Sequence, residues 1–186
     1  MKQLTLCLIL ASASLFSSAQ TISSKSLDAL VVNRVYVMNG DSLIALETGD
    51  AHLMIKPAPP FGKSENGYSL KGEKSTVRIK VEDSIKFMVK SAGMTIEQSV
   101  IRLYSLRSKK GNRDAVLESH QDMYYKSKTD DNSKGINFTV QKLGNDVYIL
   151  VLNKLPSGEY AFMNLAQASG SGPHTTYAFY AFAVDL

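Results

Sequence analysis

The sequence predicts an all-β protein, a two-sheet β-sandwich with immunoglobulin-like or related Greek-key topology. Three observations lead there. The strongest periodicity is two: Thr76-Val77-Arg78-Ile79-Lys80-Val81-Glu82 alternates apolar with polar or charged residues without a break, as a strand with one buried and one wet face does. Turn-forming Gly, Asn, Asp and Pro recur at near-regular spacing and mark off roughly nine or ten short strands. Helix signals are scarce, and the capping-box spacing at Thr95-Ile96-Glu97-Gln98 supports a single turn.

Taken in order, residues 1–19 read as a secretory signal. Met1-Lys2 supplies a positive start, an apolar run follows from Leu4 to Phe16, and Ser17-Ser18-Ala19 offers small residues for cleavage. The run is too short and wrongly flanked for a transmembrane helix. The mature chain is then expected to start at Gln20 and hold 186 − 19 = 167 residues, enough for one domain with a sizeable core. Residues 20–33 form an N-terminal segment and 34–186 the single sandwich domain. Its opening hairpin region spans 34–56, where Asn39-Gly40 separates Val35-Tyr36-Val37-Met38 from Leu43-Ile44-Ala45-Leu46. Residues 57–62 (Pro57-Ala58-Pro59-Pro60-Phe61-Gly62) form a Pro-rich connector, because proline cannot donate to a ladder.

Beyond 76–82, residues 85–90 place Ile85, Phe87 and Val89 on one face. The stretch 100–106 fits a helical stripe through Ile96, Val100, Leu103 and Arg107, but its β-branched start and the basic turn after it favour a strand. The polar stretch 126–135 reads as a mobile loop and 136–141 as an alternating strand. Residues 147–152 are apolar throughout, as in a central strand, and Gly144-Asn145-Asp146 turns the chain into them. Pro156-Ser157-Gly158 turns into Glu159-Tyr160-Ala161-Phe162, and 177–184 interleaves aromatics with Ala178, Ala181 and Ala183 as a packed terminal strand would. A transmembrane β-barrel is rejected, since Arg78, Lys80, Glu82, Lys86 and Lys90 occupy the wet faces where lipid would require apolar residues.

Composition narrows function. Lys and Arg number 21 against 17 Asp and Glu, and loss of Lys2 leaves 20 − 17 = +3. That mild excess lacks the clustered basic face of a nucleic-acid binder, so no nucleic-acid partner is expected. The lone Cys7 lies in the signal, leaving the mature chain without disulfide or thiol ligand. Leu4-Thr5-Leu6 lack the small residues that lipid attachment at Cys7 needs. No later apolar run spans a membrane as a helix. The expected location is periplasmic, outer-membrane-associated or extracellular.

No residue earns a catalytic or metal-binding role. His52, His120 and His174 share no metal-ligand spacing. Gly170-Ser171-Gly172-Pro173-His174 puts a hydroxyl near an imidazole but has no nucleophile elbow and no carboxylate behind it. Asp122, Asp130, Asp131, Asp146 and Glu159 fall in turns or strand ends and read as solvated acids. There is no tryptophan to stack a sugar, although nine tyrosines are present. No cofactor is implied.

Binding has one stronger candidate. Arg107-Ser108-Lys109-Lys110-Gly111-Asn112-Arg113 carries four positive charges in seven residues, with a turn at Gly111-Asn112. Arg107, Lys109, Lys110 and Arg113 are therefore the candidate binding residues, suited to a phosphate, an anionic glycan or the acidic face of an envelope protein. The competing reading is a solubilising turn that guards a sheet edge. The loops 126–135 and 169–175 are further contact elements. Asp41-Ser42-Leu43 and Asp83-Ser84-Ile85 resemble the short Asp-Ser/Thr-apolar acceptor of bacterial O-glycosylation.

A longer pattern adds to this. Gly72-Glu73-Lys74-Ser75-Thr76-Val77-Arg78-Ile79, then Phe87-Met88-Val89-Lys90, Ile101-Arg102-Leu103-Tyr104-Ser105-Leu106, the basic turn ending in Arg113, and Leu155-Pro156-Ser157-Gly158-Glu159-Tyr160-Ala161-Phe162 follow one another. This order resembles a group of uncharacterised, secreted, β-rich bacterial proteins over about residues 72–184. The resemblance implies an all-β fold and export, and brings no activity with it. The expected function is an exported, non-catalytic binding or interaction module of the bacterial envelope. The alternatives are a small exported hydrolase or carbohydrate-active protein using a carboxylate pair or His174, and a structural envelope component that assembles through a sheet edge.

Overall fold

The computed structural model describes residues 30–57, 62–97, 99–123, 126–144, 146–171 and 174–186, without the side chains of 122–131. The signal at 1–19, the segment 20–29 and residues 58–61 of the Pro-rich connector lie outside the described residues. The described strands are, in chain order, β1 (Val35–Asn39), β2 (Ser42–Ala45), β3 (Glu47–Lys56), β4 (Lys63–Lys71), β5 (Arg78–Lys80), β6 (Ser84–Lys90) and β7 (Ile101–Lys109). They continue with β8 (Asn112–Met123), β9 (Lys126–Asp131), β10 (Thr139–Gly144), β11 (Val147–Asn153), β12 (Gly158–Ser169) and β13 (Thr176–Asp185).

Two sheets result. The smaller is antiparallel in the order β10-β11-β6-β1-β2. The larger runs β12-β7-β8-β4-β3-β13, and β12 pairs again with β13 from Gly158↔Val184 to Ser169↔Thr176. Six of its strands therefore close into a barrel. β5 lies parallel to the last residues of β13, and β9 lies along the outer half of β8. The expected all-β class with two sheets stands, but one sheet is a closed ring rather than the open layer of an immunoglobulin-like sandwich.

Residue size explains the closure. Along β12 and β13 large aromatics alternate with small residues. Tyr160, Phe162, Tyr180 and Phe182 face the five-stranded sheet, while Ala161 and Ala181 face into the barrel with Ala51 and Ala115. A six-stranded ring leaves a narrow interior, and alanines on the inward face of several strands suit it. Gly49 is opposite Phe179, and a Cβ there would stand 2.8 Å from the ring, so its missing side chain makes room for that phenyl group. The outer aromatics meet Val35, Val37, Ile85, Phe87, Val89, Leu150 and Leu152 of the smaller sheet. Phe87 lies 5.0 Å from Phe162 and 4.8 Å from Phe182, centroid to centroid, within the range of favourable ring contacts. The wall β7-β12-β13 is thus buried on both faces.

Several elements depart from expectation. The 126–135 stretch is not a loop throughout: β9 pairs with Glu118–Met123 of β8. β8 runs alongside β7 only from Asn112 to Asp114, so its exposed edge further on needs another backbone partner. The strand expected at 136–141 starts at Thr139, and Ile136 makes a single bridge to Leu103 that seals the gap where β7 and β8 part. Gly135 permits that seal, with φ of 71° and space for no Cβ, since one would stand 2.5 Å from the Leu103 carbonyl oxygen. The run 76–82 gives only three strand residues, because Ser75 and Thr76 donate their amides to the Glu159 and Glu47 carboxylates instead of to a ladder. β3 and β4, on either side of the Pro-rich stretch, are neighbours in the barrel. In the first hairpin Asn39 pairs with Ser42, so the loop is Gly40-Asp41, with positive φ at Gly40 alone as in a type II′ turn.

Candidate functional site

The basic run forms the β7–β8 hairpin, with its turn at Lys110-Gly111 rather than at the expected Gly111-Asn112, but its four cations do not share one surface. Successive strand residues point to opposite faces. Arg113 points into the barrel and is fully buried, while its neighbour Asp114 lies on the other face of the strand, buried in turn beneath Lys56 and Lys109. Arg113 donates to Glu47 at 2.5 Å, to the Gly72 carbonyl at 3.1 Å and to the Lys71 carbonyl at 3.2 Å, and Glu159 lies 3.5 Å away. Burial pushes the Glu47 carboxyl up, but hydrogen bonds from Arg113 and the Thr76 amide outweigh it, and its pKa lies below the usual range. Around this plug the hairpin is tied to the chain between β4 and β5: Gly72 donates to the Gly111 carbonyl at 2.9 Å, and Gly111 donates to Glu73 at 2.9 Å.

On the outer wall Arg107 grips Glu65 through two hydrogen bonds of 2.9 and 2.6 Å. Lys109 sits 3.1 Å from Asp114, which also accepts from Lys56 at 2.9 Å and from Ser69 at 2.8 Å. The Arg107 hydrogen bonds, against the opposing effect of burial, bring the Glu65 carboxyl down to about 2. Burial would raise Asp114, yet the bonds from Lys56, Ser69 and Lys109 hold it at about 2 as well. Lys110 is exposed at the turn, with no ion-pair partner among the described residues. Asp114 directly follows the run, but Glu65, Lys56 and Ser69 sit on β3 and β4, and nothing in the sequence near 107–113 announces them.

The other sequence candidates are dispersed. His52, His120 and His174 are exposed and lie on β3, on β8 and before β13. Among the described residues no group of three His, Cys, Asp or Glu stands ready to hold a metal. The His174 amide donates to the Ser171 carbonyl at 3.3 Å, a backbone turn, and Gly172 and Pro173 lie outside the described residues. Glu159 is part of the Arg113 plug, and the side chains of Asp122, Asp130 and Asp131 lie outside the described set. No helix among the described residues is long and apolar enough to cross a membrane.

A cleft that the sequence reading missed lies beside the Arg113 plug, to which its lining residue Arg78 is joined through Glu159. It has a volume of about 410 Å³ and opens where the smaller sheet ends at β2 and the larger one at β5. Val37, Ile44, Ile79 and Ile85 give it apolar walls, and Arg78, Lys80 and Glu82 line it as well. Ile44 is on the inner face beside Val37, yet it is 40% exposed, because no strand of the described chain lies beyond β2. Arg78 is engaged by both oxygens of Asp185 and by Glu159 at 3.2 Å, whereas Lys80 is exposed and has no ion-pair partner among the described residues. Ser42 and Ser84, the hydroxyls of the two acceptor-like tripeptides, are exposed at this same end. One signal was available: Ser42-Leu43-Ile44-Ala45 is a strand with no charge in it. No family model, curated protein or solved structure matches this chain.

Proposed function

We propose that this chain is an exported, non-catalytic binding or interaction module of the bacterial envelope, and that it engages its partner at the cleft between β2 and β5. The cleft carries the reading. It exposes core-type residues, Ile44 and Ile79, beside a cation, Lys80, that has no ion-pair partner among the described residues, and concave apolar surface with a few polar groups is where ligands bind. Export is supported by the signal pattern at 1–19 and by the resemblance to secreted β-rich proteins. A protein partner is favoured over an anionic glycan, since Arg107, Lys109 and Arg113 already face acids of their own chain. The hydrolase alternative draws no support from Glu47 and Glu159, which converge on a buried guanidinium rather than on open space. The sheet-edge alternative has one observation in its favour, the uncharged edge of β2, beyond which no strand of the described residues lies.

The test is a photo-crosslinking amino acid placed at Ile44 in the full chain in living cells, with Lys110 as control. A discrete heavier adduct from position 44 alone is expected. Adducts from 110 but not from 44, or none from either, would remove the cleft as the contact.

A further inference from the structure

We propose that β2 takes up an extended peptide as an added strand, with an apolar side chain of that peptide filling the cleft and an acidic one meeting Lys80. The inference rests on the interaction reading and specifies the partner's chemistry.

The backbone comes first. Leu46 donates its amide to the Val35 carbonyl at 3.0 Å. Bonded and non-bonded pairs alternate along an antiparallel ladder, so Ile44 and Ser42 also bond toward β1, across from Val37 and Asn39. Leu43 and Ala45 therefore direct their N–H and C=O groups to the free edge. A strand added there would exchange hydrogen bonds with Leu43 and Ala45, and its residue opposite Ile44 would project onto the inner face. That face is the cleft, bounded by Ile44, Ile79, Val37 and Ile85. A lipid chain would fill the cleft but leave those backbone groups unanswered.

Other free edges are guarded by charge or irregularity, as natural sheets require. β10 carries Lys142 and a register shift before Gly144, β5 carries Arg78 and Lys80, and β9 reads Lys126-Ser127-Lys128-Thr129-Asp130-Asp131. β2 has neither charge nor irregularity. Its four residues are far fewer than the roughly 20–30 a side that hold two folded proteins together, so a second copy docked on this edge alone is disfavoured and a peptide fits. Arg78 is already occupied by Asp185 and Glu159. Lys80, without an ion-pair partner among the described residues, selects an acidic residue, and this mode matches strand addition with pockets for alternate side chains.

The probe is a fluorescein-labelled octapeptide of alternating valine and threonine with one glutamate, with a twin carrying lysine in its place. Anisotropy with the full mature chain should show binding of the first and at least tenfold weaker binding of the second. Amide exchange at Leu43 and Ala45 should slow in the complex. Ala45→Pro removes an edge donor where β1 needs none, a position at which strands tolerate proline, and should weaken binding at least tenfold. Should that variant misfold, Ile44→Lys at its half-exposed site gives the same readout. No binding by the wild-type chain, or binding that neither substitution changes, overturns strand addition. A partner crosslinked from position 44 without any peptide binding would sink this inference and leave the interaction reading standing, whereas failure of both experiments removes both.

Discussion

Arg113 is the residue on which the closed end of the barrel depends. A guanidinium with no exposure sits between Glu47 and Glu159 and reaches two backbone carbonyls. Removing one partner of a buried charge group leaves the others uncompensated, at a cost of about 3–5 kcal/mol. Arg113→Met is expected to lose that much stability in urea titrations. Arg113→Lys should recover little, because one ammonium cannot reproduce the planar fork. The outer wall makes a separate claim. Glu65 and Asp114 titrate near 2 in the folded chain, below their ordinary values of roughly 4. Depressed carboxyls contribute stability that is full above the unfolded pKa and lost as pH falls through the folded one. Unfolding free energy should therefore be flat near neutrality and drop between about pH 5 and pH 2. Asp114→Asn should make that acid limb shallower, and an unchanged slope would count against the paired geometry. None of this was readable from the basic run. The sequence announces a charged hairpin, but Arg107 meets Glu65 at a separation of 42 residues and Arg113 meets Glu47 at 66. Which strand lies beside which decides whether a cation is free, and local spacing does not encode that.

At the level of elements, strands with their own periodic signature were legible. The hairpin β1–β2, β6, β11 and the terminal β13 sit where alternation or continuous apolarity placed them, and 101–109 is a strand rather than a helix. Those whose stability comes from a neighbour were not. β9 is polar and exists as a strand because β8 outruns β7 and offers it a backbone edge. β4 reads Lys63-Ser64-Glu65-Asn66-Gly67-Tyr68-Ser69-Leu70-Lys71, with too few apolar positions to announce itself. Its register depends on Gly67. The pairing with β8 shifts between Asn66 and Gly67, and a Cβ at 67 would stand 1.9 Å from the Ala115 carbonyl oxygen, a backbone atom with little freedom to move. Gly67→Ala is expected to destabilise by about 3 kcal/mol, the upper end of overpacking penalties. Calorimetry checks the size, and amide exchange should show the loss centred on β4 and β8. Tolerance of the alanine would mean that these strands do not approach so closely.

The whole molecule joins a sandwich-like core and a barrel core through one shared wall. Phe162 and Phe182 face the five-stranded sheet, and their sequence neighbours Ala161, Met163, Ala181 and Ala183 are fully buried in the same strands. Loss of that wall strips one side from both cores at once, so neither has a route to persist alone. This leads to a prediction of single, cooperative unfolding. Far-ultraviolet circular dichroism and tyrosine fluorescence, which samples Tyr68 and Tyr104 in the barrel and Tyr148 in the other core, should give coincident urea transitions, the test of two-state behaviour. Phe162→Ala should shift both signals together and cost about 3–5 kcal/mol, as large aromatic truncations in cores do. Two separated transitions would show that the barrel folds by itself and that the five-stranded sheet is an accessory layer. In that case partner binding at β2 would be felt by the accessory layer alone. With one transition, a strand added at β2 extends a sheet that the entire core supports, and binding there should raise the midpoint of the whole molecule.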